Sequence, residues 1–168
     1  MERLPPALRN GPQGRRGVPR LEKERFVKEA LKEAKKAFKE GEVPVGAVVV
    51  KNGQILSRAH NEVERRKDPT AHAELLAIRR ACRKLGEKFL YGATLFVTLE
   101  PCVMCAYACV LARLERVVFL APDHRHGGVI SVFSVLEEPK FNHRVKWELY
   151  PSEEASGLLK SFFGRLRE

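Results

Sequence analysis

The stretch Ala93–Cys105, ATLFVTLEPCVMC, constrains the fold of this chain more than any other. Ala93–Leu99 is a run of β-branched, aromatic and aliphatic residues bounded by Gly92 and Pro101, the pattern of a strand. The run passes into a helix expected from Pro101 to about Arg113, with proline at its first position because the missing N–H would find no partner there. Cys102 and Cys105 then fall in the first turn, three apart and on one face. Orphan N–H groups and the positive end of the helix dipole favour anions, so these thiols should ionise readily, and thiolate is the form that binds zinc.

Apolar periodicity supplies the other elements. Leu21 to about Lys39 reads as a helix burying Phe26, Ala30, Leu31, Ala34, Ala37 and Phe38, with Gly41 ending it. VPVGAVVVKNGQILSRAHN reads as two strands that turn at Asn52-Gly53, both tolerant of positive φ. DPTAHAELLAIRRAC, Asp68–Cys82, reads as an amphipathic helix whose core stripe is Leu75, Ile78, Cys82 and then Leu85. RVVFLA and RVKWELY are two further strands, separated by the Gly-rich loop DHRHGG and a short apolar segment, Val129–Leu136. Ser152 caps a last helix bearing Leu158, Leu159, Phe162, Phe163 and Leu166. Strands alternating with helices after an opening hairpin predict an α/β fold, a mixed sheet covered by helices.

A chain of 168 residues that is 44% hydrophobic fits one domain with a substantial core. No apolar run is long enough to span a bilayer and no signal-peptide core stands at the N-terminus, so a soluble, cytoplasmic protein is expected. The formal net charge of +10, from 31 basic and 21 acidic residues, fits a polyanionic partner, nucleic acid above all; it fits equally a basic surface with no partner. Part of the excess lies in residues 1–20, where five arginines face Glu2 among prolines and glycines. That segment reads as a flexible basic leader outside a single domain of residues 21–168. Of the four cysteines, Cys102, Cys105 and Cys109 crowd together, too locally for a disulfide framework, which points to metal binding or catalysis.

His72 and Glu74 stand at the start of the second helix, with only Ala73 between them. Alone, Glu74 is an acid suited to a helix dipole, and a lone Cys-x-x-Cys is as often structural or redox-active. Two such helix starts packed side by side would converge. Tetrahedral zinc on His72, Cys102 and Cys105 leaves a fourth position for water, the catalytic arrangement. Glu74, two residues beyond His72, points to another side of the turn and can meet that water as a general base. Cys109 is an alternative to Cys102 as ligand, although it and Cys82 read better as small buried residues. His124 and His126 read better as part of a basic loop than as metal ligands, and the sequence identifies no partner for His60 or His143.

HAE at His72–Glu74 and PCVMC at Pro101–Cys105 form the H-x-E…P-C-x-x-C signature of zinc nucleobase deaminases. With GEVPVGAVVV, HNEV, DPTAHAE, VTLEPCVMC, HGGVISVF and FNHRV, the chain from Leu21 to its end resembles the bacterial tRNA adenosine deaminases; the leader has no counterpart. The resemblance implies the cytidine-deaminase-like three-layer α/β fold, with a mixed five-stranded sheet flanked by helices, and a homodimer. It implies hydrolytic deamination of adenosine to inosine at the wobble position of a tRNA anticodon stem-loop by zinc-activated water. One zinc per subunit would be held by His72, Cys102 and Cys105, with Glu74 as the catalytic proton shuttle. Asn61 and the main chain near Ala73 would bind the flipped base, Asp123 would lie near the neighbouring nucleotide, and Asn142, Phe163 and Arg167 would hold the anticodon loop. The His-Arg-His that follows Asp123 lies in a loop that varies within that family, so the Asp123–Gly128 loop is assigned no role. Two rivals stand beside this reading. A zinc deaminase of free guanine or a cytosine compound also accommodates DPTAHAE, although VPVGAV, FNHR and the aromatic-basic last helix favour RNA. A non-catalytic RNA-binding zinc subunit should lack the acid that Glu74 supplies.

Overall fold

The computed structural model describes residues 18–166, so most of the expected leader, and Arg167, lie outside the described residues. The elements are α1 (Arg20–Lys39), β1 (Gly46–Lys51), β2 (Gln54–His60), α2 (Val63–Arg66), α3 (Ala73–Leu85), β3 (Thr94–Val97), α4 (Val103–Leu111), β4 (Arg116–Phe119), a 3-10 turn (Val135–Glu137), β5 (Lys146–Leu149) and α5 (Glu153–Leu166). The strands form one five-stranded sheet in the order β2-β1-β3-β4-β5. β1 is antiparallel to both β2 and β3, while β3, β4 and β5 are parallel. The expected mixed sheet is therefore present.

The three central strands bury both faces, as their near-continuous apolar runs require. Val48, Val50, Phe96, Val118 and Leu120 meet Phe26, Val27, Ala30 and Leu31 of α1 and Ala155 of α5. Ala47, Val49, Leu95, Val97, Val117 and Phe119 face the other way, against Leu76, Ala77 and Ala81 of α3 and Ala106, Cys109 and Val110 of α4. The hairpin turns at Asn52 (φ 54°) and Gly53 (φ 74°), the positive-φ pair expected there. The Ser152 hydroxyl accepts the Ala155 N–H at 3.2 Å and caps α5 as expected.

Two local expectations differ from the structure. In α3 the core face is Ala73, Leu76, Ala77, Ile78 and Ala81, whereas Leu85 is 37% exposed and Leu75 and Cys82 are half-buried. The alanines let α3 lie close on the sheet, and Leu75 turns instead into an apolar groove beside α4. The helix expected from Pro101 begins two residues later, with Cys102 extended at its N-cap position (φ −71°, ψ 175°). Cys102 pairs with Gly127 in an isolated antiparallel bridge, and the Pro101 carbonyl accepts the Gly128 N–H at 2.7 Å. Those contacts hold the two residues out of the helix.

Direction places the site. Because β1 opposes both neighbours, β2 and β3 run the same way and end at one edge of the sheet. α3 follows β2 and α4 follows β3, so both helices begin at that carboxyl edge.

At the start of β1 the packing reaches its limit. A Cβ on Gly46 would sit 2.2 Å from the Ala30 carbonyl oxygen and 2.4 Å from the Ala34 nitrogen, both backbone atoms of α1. Gly46→Ala should lower the unfolding free energy by about 2–3 kcal/mol through forced separation of α1 from β1. Urea unfolding measures this, and a change close to zero would mean that α1 lifts away freely.

Candidate active site

His72 is the N-cap residue of α3 and Cys102 that of α4. Neither caps its helix with its side chain, so both side chains are available to each other. The approach to His72 is built by Asp68, whose Oδ1 accepts the Thr70 N–H at 2.8 Å and its hydroxyl at 2.6 Å. The Thr70 carbonyl in turn accepts the His72 N–H at 2.8 Å.

The His72 Nδ1 lies 3.7 Å from the Cys102 Sγ and 3.5 Å from the Cys105 Sγ. All three ligand atoms lie within 4.8 Å of one another, and no other such group of three occurs among the described residues. A tetrahedral zinc, with bonds of about 2.3 Å to sulfur and about 2.1 Å to nitrogen, would hold N and S about 3.6 Å apart. The spacing and the borderline-soft donor set therefore fit zinc. Cys109 is fully buried in the core and takes no part in the cluster, and Cys82 is half-buried beside the Lys88 carbonyl.

Protons are distributed unevenly over the cluster. The hydrogen bond from Cys105 pulls the Cys102 thiol down to about 4 against the effect of burial, and His72 assists. The Cys105 thiol is pushed far up by its bond to Cys102 and by burial. The bond to Cys102 raises the His72 imidazole despite burial, with the Glu74 charge adding to it. A thiolate beside a thiol and an imidazole is a set that gives up protons when metal binds. Glu74 is 4% exposed and its carboxylate falls outside the three-ligand group. Burial pushes its carboxyl up to about 7, against the pull of His72. An acid near neutrality next to a metal-ligand set can both take and return a proton.

The Asn61 Oδ1 accepts the Ala73 N–H at 2.9 Å, which ties Asn61 to the start of α3 and leaves its NH2 group as the remaining bonding end. The Ala73 N–H is thereby engaged within the protein. Thus His72, Ala73, Glu74, Cys102, Cys105 and Asn61 converge. Asp123 and Phe163 make other contacts. The Asp123 Oδ1 accepts the N–H groups of Arg125 and His126 at 3.1 and 3.0 Å, closing its own loop. Asn142 is exposed in the segment before β5. Phe163 is 44% exposed on α5, beside Phe162, which packs on Phe38.

Of four further buried acids that no motif marks, Glu33, Glu42, Glu62 and Glu100, the last three fasten segments near the site. Glu42 accepts the N–H groups of Glu64 and Arg65 at 2.9 and 2.8 Å and so fastens the short α2. Glu62, next to Asn61, is paired with Arg65, Arg66 and Arg80. Glu100 precedes Pro101 and accepts from the backbone of Asp123, Val129, Ile130 and Ser131 and from the Ser131 hydroxyl. Burial by itself would raise its carboxyl, but the bonds from Ser131, Ile130 and Asp123 outweigh burial and hold it below the usual value. For Glu100 the available signal is an acid inside an otherwise apolar run, since such a residue is seldom buried without partners.

The profile of the MafB19-like deaminase family matches residues 21–167. The tRNA-specific adenosine deaminase of Aquifex aeolicus is 65% identical over 145 residues, covering 86% of this chain and 96% of that protein. The tRNA-specific adenosine deaminase of Bacillus subtilis is 51% identical over 86% of this chain and 91% of that protein. A solved structure from work on A-to-I editing by tRNA:A34 deaminases at the wobble position superposes with a TM-score of 0.77 at 39% identity, over 81% of this chain and 99% of that one. The guanine deaminase of Bacillus subtilis is more distant, with a TM-score of 0.57 at 32% identity over 86% of this chain and 92% of that one.

The raised Glu74 carboxyl has a measurable cost in the metal-free protein. A folded-state value of about 7 against 4.5 means that the folded chain keeps a proton the unfolded chain releases. Stability contributed by this group is therefore lost as pH rises from the lower value through the upper one. In the presence of a chelator, Glu74→Gln should be more stable than the parent at pH near 8 by about 3 kcal/mol, with the difference vanishing near pH 4. Denaturant unfolding at the two pH values measures it.

Proposed function

The chain belongs to the MafB19-like deaminase family and to the tRNA-specific adenosine deaminases, and we propose that it uses this site to convert the wobble adenosine of a tRNA anticodon to inosine. The observation that carries the reading is the convergence of His72, Cys102 and Cys105 beside the buried Glu74. His72, Cys102 and Cys105 would hold one zinc per subunit. Bound there, zinc would supply Lewis-acid activation of a water, bringing its pKa toward about 7.

The protein groups do the rest. Glu74 takes a proton from the attacking water and gives it to the adenine ring nitrogen as oxygen adds at carbon 6. It then takes the second proton from the oxygen now on carbon 6 and gives it to the exocyclic amine, which leaves as ammonia as the carbonyl forms, because an amide ion is too poor a leaving group. Proton transfer of this kind contributes roughly 10²–10⁴-fold. Asn61, held by Ala73, presents its NH2 end to the base. The target base must leave its stack, which costs less in a single-stranded anticodon loop than in a duplex. Asp123 would face the neighbouring nucleotide, and Asn142, Phe163 and Arg167 the rest of the loop. The net charge of +10 supplies phosphate affinity that weakens with salt.

The functional unit is proposed to be a homodimer in the cytoplasm. Supporting it, α4 and its surroundings expose an apolar groove lined by Leu75, Met104, Tyr107, Leu111, Val135 and Phe141. No described helix is long and apolar enough to cross a membrane.

The test is inosine mapping after incubation with total tRNA, alongside ammonia release from an anticodon stem-loop, free guanine and cytidine. Inosine at the first anticodon position is expected; turnover of a free base without the stem-loop would replace this reading with a free-base deaminase. Glu74→Ala should keep zinc and RNA binding but lower inosine formation by at least about 10²-fold. Cys102→Ala should lose zinc as well, as measured by metal analysis. Leu111→Glu, at a position 60% exposed in the groove, should turn a dimer into monomers in analytical ultracentrifugation.

A further inference from the structure

The residues between β4 and the 3-10 turn form neither helix nor strand, yet they lie directly against the start of α4. Gly127 pairs with Cys102, and the Gly128 N–H donates to the Pro101 carbonyl at 2.7 Å. A Cβ on Gly128 would come 2.6 Å from the Val103 nitrogen, so only a bare backbone fits there. At the centre of this contact is the side chain of Glu100, which is 2% exposed. Its Oε2 accepts the N–H groups of Val129, Ile130 and Ser131 at 3.1, 2.9 and 3.0 Å. Its Oε1 accepts the Asp123 N–H at 3.0 Å and the Ser131 hydroxyl. One carboxylate thus gathers both ends of the 123–131 loop.

We propose that Glu100 is a positioning residue that seats the 123–131 loop against the metal-ligand helix and thereby shapes the wall that receives RNA. The inference rests on the RNA reading above, because Asp123 reaches the substrate only in that reading. Five donors converge on two oxygens, and an amide cannot replace the carboxylate there. In Glu100→Gln one oxygen becomes an NH2 group, which meets N–H donors head on. Bonds to a charged acceptor are individually stronger than neutral ones, so their collective loss should release the loop. His72 and Cys105 are not bonded to Glu100, and Cys102, although bridged to Gly127, is also anchored to α4 by its carbonyl, which accepts the Ala106 N–H at 2.8 Å. Glu100 therefore acts on substrate capture and not on metal retention.

The test compares the zinc-loaded parent with Glu100→Gln by amide hydrogen exchange, metal content, and steady-state kinetics on an anticodon stem-loop. Faster exchange at Asp123, Ile130 and Ser131 is expected with metal content unchanged. KM should rise about tenfold or more while kcat changes by less than about threefold. Gly127→Ala attacks the same contact from the other side, since its Cβ would lie 2.3 Å from the Glu100 Oε2 and 2.6 Å from the Asp123 carbonyl. It should give the same exchange and KM signature, and it serves if Glu100→Gln does not fold. Glu100→Asp, which keeps the charge, should recover part of the loss. Unchanged exchange in both variants overturns the proposal, as does zinc loss in step with activity, or a fall in kcat at constant KM. Exchange and stem-loop binding by fluorescence anisotropy are read without turnover, so a parent that deaminates no stem-loop counts against the functional reading alone.

Discussion

β1 hydrogen-bonds antiparallel to β2 on one side and to β3 on the other, so both neighbours end at the same edge of the sheet. The helices that follow them start there, which brings His72 against Cys102 and Cys105 although thirty residues separate the first two. The metal-ligand set is thus a product of strand direction, and the burial that secures β1 also secures the site. The two apolar layers on β1, β3 and β4 hold that direction, and the bare backbone of Gly46 lets α1 close over it.

Around this frame, buried carboxylates organise what has no regular structure. Glu42, Glu62 and Glu100 each take up N–H or guanidinium donors from segments that border the cluster. A buried charge is tolerable only when such donors surround it. Glu74 is different: its burial works against its charge, which suits the proton-carrying role proposed for it.

Much of this could be read from the residues. Asn52-Gly53 named the hairpin because few residues accept positive φ, and the apolar runs named the central strands. The meeting of His72, Cys102 and Cys105 could be read because few residue types bind zinc and both helix starts follow strands. In α3, Ile78 is buried as its spacing implies, whereas Leu75, Cys82 and Leu85 are not fully buried, because they satisfy helical spacing as well as the alanines do and large side chains dominate such a pattern. The first helical residue after Pro101 was misplaced because Gly127 and Gly128, far along the chain, hold that backbone extended. Glu42 and Glu100 stayed hidden because most of their partners are backbone amides, which every residue carries and no sequence pattern marks.

α4 spans nine residues, Val103–Leu111, barely two and a half turns. A helix of that length has no appreciable stability of its own in water. It stands because Ala106, Cys109 and Val110 are buried against the sheet. The Cys105 sulfur on the helix and the Cys102 sulfur at its start therefore owe their position to the packed core. The geometry of the candidate ligands is thus supported by the same packing that supports the sheet.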